Sequence, residues 1–335
     1  MSPLPDVAFF VIARSPLRLP ASRRSHPMTL FRHVRPIPIL AALVLTACQP
    51  LTGPTRSAAP TLGLQAWTYN NLTLAETADK AANLGIHHLQ GFTRQRIGDG
   101  IEGTLAPTMD AATRGRILAM LQEKGVTMTS MGVVSAINGT EWRQLFTFAK
   151  AMGMRDIAVE PPKAKWSTEI PLLDQLAREF GVGVTFHNHY DPDNPPEHLV
   201  AALQPYGKHM GFCADTGHWA RSGLDPVAAL RKTEGRLISL HFKDIVQFTR
   251  TARDVPWGTG VSNATGQLAE LRRQGFTGIV YLEYEARTPM IEAEIARCVE
   301  FFRRAAAASD ADLIGGRVVP PGGTADAADD RKKRS

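Results

Sequence analysis

From residue 62 to residue 306, short apolar runs alternate with longer segments in which apolar residues return every three or four positions. The runs predict strands at 62–67, 86–92, 126–133, 156–160, 183–189, 210–215, 237–244 and 278–285. The spaced segments predict helices at 74–84, 111–124, 141–152, 172–180, 197–206, 226–233 and 267–274, with a last one at 291–304. Strict alternation of this kind forces parallel pairing through right-handed crossovers. Eight units within one stretch of about 245 residues make a single-domain α/β protein, a closed (β/α)8 TIM barrel. An open doubly wound sheet would need a glycine-rich turn after the first strand, and Ala66-Trp67-Thr68-Tyr69-Asn70 is not one.

The flanks break the pattern. From Met28 the sequence MTLFRHVRPIPILAALVLTACQP sets Arg32 and Arg35 before a short apolar run that ends in small residues, the layout of an export signal. That run is too short to cross a bilayer. Leu45-Thr46-Ala47-Cys48 resembles the lipobox of bacterial lipoproteins, which implies a signal peptide over 28–47 and lipidation of Cys48. Residues 1–27 have no periodic pattern and read as an over-extended start, 48–61 as a flexible tether, and 307–335 as a disordered tail. The expected location is the bacterial cell envelope, anchored by lipid on the periplasmic side.

The formal charge of +6 changes little, because basic residues gather in the first 36 residues and at Arg331, Lys332, Lys333 and Arg334. The expected barrel therefore has no basic surplus for nucleic acid. Cys213 and Cys298 lie in apolar periodic segments and predict buried thiols, not a disulfide framework.

Side chains that close barrel strands converge on one mouth. Here the fourth strand closes with Glu160, the fifth with His187-Asn188-His189, the sixth with Asp215 and nearby His218, the seventh with His241, Lys243 and Asp244, and the eighth with Glu283 and Glu285. Any one of them alone reads as a satisfied buried polar group. Crowded together they repel unless a cation holds them, which predicts one divalent metal. Oxygen and imidazole ligands suit Mn2+, Mg2+, Co2+ or Zn2+, and a set with three carboxylates favours Mn2+.

The segments CADTGHW, SLHFKD, VPWGTG and GIVYLEYE, in this order, resemble the sugar phosphate isomerase/epimerase family of the xylose isomerase-like barrels over residues 62–306. The resemblance implies one divalent metal and proton transfer between adjacent sugar carbons. It implies Asp215, His241 and Glu283 as ligands, with His218 and Lys243 beside the substrate. Many members close the fifth strand with a ligand Glu where this chain has His187, so either Glu160 or His187 completes the set. Glu160 and Glu283 are then the candidate bases and Lys243 the stabiliser of developing enediolate charge, with His187, His189, His218 and Trp257 as substrate contacts.

His187-Asn188-His189 is no nuclease HNH unit, since that name denotes dispersed residues. Trp67 and Phe92 also stand where a multi-metal nuclease would need more His ligands. Trp67, Phe92, Trp219 and Trp257 sit near expected mouth positions and can stack on a sugar or fill the core, and Gly258-Thr259-Gly260 is a close-approach loop or an ordinary turn. Export favours a non-phosphorylated sugar or keto-sugar. Two alternatives remain: a metal-dependent lyase or hydrolase of 3-keto-glycosides, and a sugar-binding lipoprotein without catalysis.

Overall fold

The computed structural model describes residues 60–135, 138–318 and 320. The expected export signal, Cys48 and nearly all of the expected tether lie outside them, as does most of the expected tail. Ten strands occur among the described residues: β1 (Thr61–Gln65), β2 (His88–Gly91), β3 (Arg96–Gly98), β4 (Ile101–Thr104), β5 (Thr127–Ser135), β6 (Asp156–Glu160), β7 (Gly183–His187), β8 (Met210–Asp215), β9 (Leu237–Phe242) and β10 (Ile279–Leu282). Eight close into a barrel in the order β1-β10-β9-β8-β7-β6-β5-β2, every pair parallel, and β3 and β4 form a separate antiparallel hairpin. The (β/α)8 barrel is the observed fold.

Local chemistry explains why the helices lie where they do. Thr73 and Asn138 each cap a helix reciprocally with a Glu three residues on, Glu76 and Glu141. The helix Trp166–Phe180 starts earlier than its apolar spacing predicts, running through Pro171, and it ends at Gly181 with φ of 67°, a conformation that favours glycine. Apolar helix faces cover the outside of the barrel, with Trp142, Phe146, Leu173 and Phe301 all buried in one continuous core.

Three features differ from the expected pattern. The first strand stops at Gln65 and passes into a turn of 3-10 helix, Ala66–Tyr69, because the Gln65 side chain accepts the Trp67 N–H at 3.0 Å. The β3–β4 hairpin intrudes between β2 and the next helix, turning at Asp99 and Gly100 with φ of 55° and 69°. Part of the tail expected to be unfolded is ordered: Ser309 caps the helix Asp310–Ile314, Leu313 is buried, and Arg272 bonds Asp310 at 2.8 Å.

Candidate active site

The C-terminal ends of β7, β8 and β9, and the residue just past β10, bring together His187, Asp215, His241 and Glu283, all buried, with one ligand atom of each within 4.8 Å of the others. Neighbouring residues hold each of these side chains in place. Asn188 points along the strand ends, donating to the Asp215 carbonyl and accepting the Asp215 N–H, both at 3.0 Å. Asp215 caps the helix Thr216–Arg221, and its Oδ1 accepts the His218 N–H at 2.7 Å. That leaves Oδ2 turned to the cluster, 3.5 Å from His187 Nε2 and 3.9 Å from His241 Nδ1. His241 Nε2–H donates to Gln90 Oε1 at 2.5 Å, which fixes the tautomer and leaves Nδ1 facing Glu283 Oε2 at 3.1 Å.

Both ring nitrogens of His187 are buried without a hydrogen-bond partner, and Asp215 Oδ2 and His241 Nδ1 are buried with ionic neighbours alone, Lys243 Nζ at 2.9 Å and Glu283 Oε2 at 3.1 Å. Buried polar atoms rarely lack a hydrogen bond, and one such atom from each of His187, Asp215 and His241, converging beside Glu283, fits a metal ion as their common partner. Burial holds the His187 pKa down at about 4, more strongly than Asp215 raises it, so the ring is a neutral ligand at pH 7. Burial also disfavours charge on His241, but Cys213 and the Glu283 carboxylate lift its pKa well above the ordinary histidine value, marking Nδ1 as a position for positive charge. Residues present therefore fit the metal expected from sequence.

Lys243 lies fully buried between the carboxylates, with Nζ 2.9 Å from Asp215 Oδ2 and 2.7 Å from both Glu283 Oε2 and Glu285 Oε2. Burial opposes its charge, but Asp215, Glu283 and Glu285 outweigh it and raise the pKa well above the usual lysine value. Burial conversely pushes the Asp215 and Glu283 pKa values up, and Lys243 draws both well below the usual carboxylate range. Glu285 in turn meets Arg221, which is also paired with Asp254.

Glu160 takes a different place from the one favoured by sequence. Its Oε2 accepts His189 Nδ1–H at 2.5 Å and its Oε1 accepts the His189 N–H at 3.1 Å, so both oxygens serve His189. In the four-residue cluster His187 stands where Glu160 was expected, while Glu160 forms a second group with His187 and His189. The physical reason is β6–β7 adjacency, which puts Glu160 beside the chain leaving β7. Burial lowers the His189 pKa, but the bond to Glu160 more than restores it, leaving it raised. His218 lies 4.8 Å from His189 between ring centroids, and burial brings its pKa down to about 2.

Trp257 is not a substrate contact. It is fully buried, 4.7 Å from Phe242 and 6.4 Å from Phe302 between ring centroids, because the helix Ile291–Ala307 covers it. The Gly258-Thr259-Gly260 loop serves structure as well: the N–H groups of Gly258 and Gly260 both donate to Asp244 Oδ2 at 2.9 Å, and that of Ser262 to Oδ1 at 3.0 Å. A cavity of about 250 Å3 opens above the cluster, lined by His187, His189, His218 and Glu283 on one side and by Trp67, Phe92 and Arg94 on the other. Sequence reasoning passed over Gln65, Gln90 and Arg94. A glutamine closing each of two apolar strands was the available signal for the first two.

The sequence profile of the xylose isomerase-like TIM barrel family matches residues 78–305. An uncharacterised protein from Parabacteroides distasonis is 30% identical, with a TM-score of 0.60 over 73% of this chain and 98% of its own. D-psicose 3-epimerase of Clostridium cellulolyticum H10 shares the fold, with a TM-score of 0.57 at 14% identity over 73% of this chain and 99% of its own. A rhizopine catabolism protein, MocC, of Rhizobium meliloti is 37% identical over 78 residues, 22% of this chain, which thus spans 23% of that relative's length. With the family profile running through seven of the eight barrel strands and the polar cluster at their C-terminal ends, the chain belongs to the xylose isomerase-like TIM barrel family.

Proposed function

We propose that this barrel is a divalent-metal-dependent sugar isomerase or epimerase working through proton transfer at carbon. The observation that carries the reading is the convergence of one buried ligand atom from each of His187, Asp215, His241 and Glu283 at the open mouth. Structural likeness to D-psicose 3-epimerase supports the same reading.

His187, Asp215, His241 and Glu283 would hold the ion, and when bound it polarises a sugar carbonyl and lowers the pKa of the neighbouring C–H. Two imidazoles and two carboxylates suit Mn2+, Co2+ and Zn2+ alike, which removes the argument for Mn2+ that three carboxylates had given. Lys243 and Gln90 position the ligands. Lys243 keeps Asp215 and Glu283 ionised, and Gln90 holds the His241 tautomer. His189, oriented through two bonds to Glu160, and Glu283 both face the cavity and are the groups placed to take a proton from substrate carbon and return it. A protein that only bound sugar would not need a Glu–His pair aimed at the same cavity as the metal ligands.

The test is solvent exchange. Protein loaded with Mn2+, Co2+ or Zn2+ is incubated in D2O with free sugars, keto-sugars and 3-keto-glycosides, and carbon-bound deuterium is followed by NMR. Exchange that stops on chelation supports the reading. Release of aglycone from a 3-keto-glycoside would replace it with the lyase or hydrolase alternative, and binding without exchange would reduce the protein to a sugar receptor. The lipid anchor belongs to the proposal as well: Cys48→Ala should end acyl labelling of protein expressed from Met28, and persistent labelling would refute it.

A further inference from the structure

Arg94 adopts φ of 69°, the left-handed region, in which a side chain with a Cβ is disfavoured by about 1 kcal/mol or more. The surroundings enforce this conformation. The Arg94 N–H donates to the Leu105 carbonyl at 2.8 Å, the Leu105 N–H donates to the Gln95 carbonyl at 2.7 Å, and buried Gln95 is tied to Thr77 Oγ1 at 3.1 Å. Residue 94 is thus held at the root of the β3–β4 hairpin, on the wall of the cavity above the cluster. Glycine or asparagine would fit this backbone with less strain, yet an arginine occupies it.

The charges around the cavity are otherwise matched. Lys243 meets Asp215, Glu283 and Glu285, Arg221 meets Asp254 and Glu285, and Glu160 meets His189. A divalent ion would balance Asp215 and Glu283, leaving Lys243 to Glu285. Among the described residues the Arg94 side chain has no hydrogen bond or ion pair, and it lines the same cavity as Glu283 and the three histidines. Beside it Trp67 is 43% exposed, set edge-on to Phe92 at 5.0 Å between centroids, and offers an apolar ring to the cavity.

We infer that the sugar handled at this site carries an anionic group, a carboxylate or a phosphate monoester, which pairs with Arg94 while Trp67 covers an apolar face of the sugar. A guanidinium bonds either anion with two parallel N–H donors, and a neutral sugar offers no such partner. The inference rests on the reading of this cavity as a sugar site and deepens it by naming the class of sugar.

Binding to metal-loaded protein is measured by calorimetry with D-glucuronate, D-galacturonate, D-gluconate and D-glucose 6-phosphate, each against D-glucose. At least one anion should bind tenfold or more tighter than D-glucose. Arg94→Asn, which suits the left-handed backbone, should remove that preference tenfold or more without lowering the thermal midpoint, and Arg94→Lys should keep part of it. A preference confined to the carboxylates identifies a sugar acid, and one confined to the phosphate identifies a sugar phosphate. No anion preferred over D-glucose, no binding by any anion, or a preference that survives Arg94→Asn would overturn the inference. Deuterium exchange into neutral sugars, undiminished in Arg94→Asn, would leave the isomerase reading standing without it. Arg94-dependent anion binding with no exchange into any sugar would do the reverse.

Discussion

His241 and Asp156 are linked through the barrel interior by two intervening side chains. His241 Nε2–H donates to Gln90 Oε1 at 2.5 Å, Gln90 Nε2 donates to Ser130 Oγ at 3.0 Å, and Ser130 Oγ–H donates to Asp156 Oδ1 at 2.8 Å. Asp156 begins β6 and His241 lies near the end of β9, so the chain runs from the N-terminal end of the barrel strands towards the mouth. Gln65 Nε2 donates to the same Gln90 oxygen at 2.5 Å, which holds that amide in one orientation.

Gln90→Leu keeps the volume and removes the acceptor that sets the His241 tautomer. Residues behind metal ligands typically govern affinity by about 10–100-fold, and we expect Mn2+ or Zn2+ binding to weaken by that factor while the fold persists. Calorimetric titration together with circular dichroism checks this. Unchanged affinity would mean that Nδ1 is presented without help from Gln90.

Metal content separates the roles of His187 and Glu160. His187→Ala removes one of four converging ligands and should lower the ion found per chain by elemental analysis. Glu160→Gln should keep the ion, because both Glu160 oxygens serve His189, and should instead slow deuterium exchange. The opposite pattern would restore Glu160 as the ligand.

Asp156 makes stability depend on pH in a defined direction. Burial raises its pKa from 3.8 to about 6, against the bonds from Ser130 and Thr185 that lower it. Between those values the folded protein keeps a proton that the unfolded chain has released, so this group's contribution to stability falls as pH rises through the window and is level above it. The Asp156→Asn variant, minus its parent, should gain stability from near zero at pH 4 to roughly 1–3 kcal/mol at pH 7. Urea denaturation across that range measures it, and a difference independent of pH would show that Asp156 does not hold the proton.

Asp244 supports the loop after β9. Its carboxylate accepts the N–H groups of Gly258, Gly260, Ser262 and Ile245. Asp244→Ala removes the acceptor those N–H groups share, and a loss of about 3 kcal/mol is expected, lowering the thermal midpoint by roughly 6–12 °C. Metal affinity should change far less than in the His187 variant. A thermal midpoint within 2 °C of the parent, on the order of measurement scatter, would show that the loop closes without this carboxylate.

The barrel was legible because strands covered on both sides carry apolar runs and amphipathic helices carry a different period, so the alternation survives in the residues themselves. The residues gathered at the mouth followed from the strand ends. Choosing between Glu160 and His187 did not, because it depends on which way Glu160 turns across the β6–β7 boundary, and His189 decides that from beyond the strand. Trp257 was misplaced for a related reason: the helix that buries it begins more than thirty residues later, at Ile291. The β3–β4 hairpin carries a signal in Gly98-Asp99-Gly100 between Ile97 and Ile101, but its strands are too short to stand out beside the long alternating elements.

That hairpin stands apart from the barrel strands that carry the polar cluster. The four candidate ligands all come from the half of the barrel built after residue 183, whereas Arg94 stands on an insertion that pairs with itself and is tied to the preceding helix through Gln95 and Thr77. On the proposed reading, ligand preference and chemistry would reside in different stretches of chain, and the first could diverge, or be grafted from a relative, without disturbing the second.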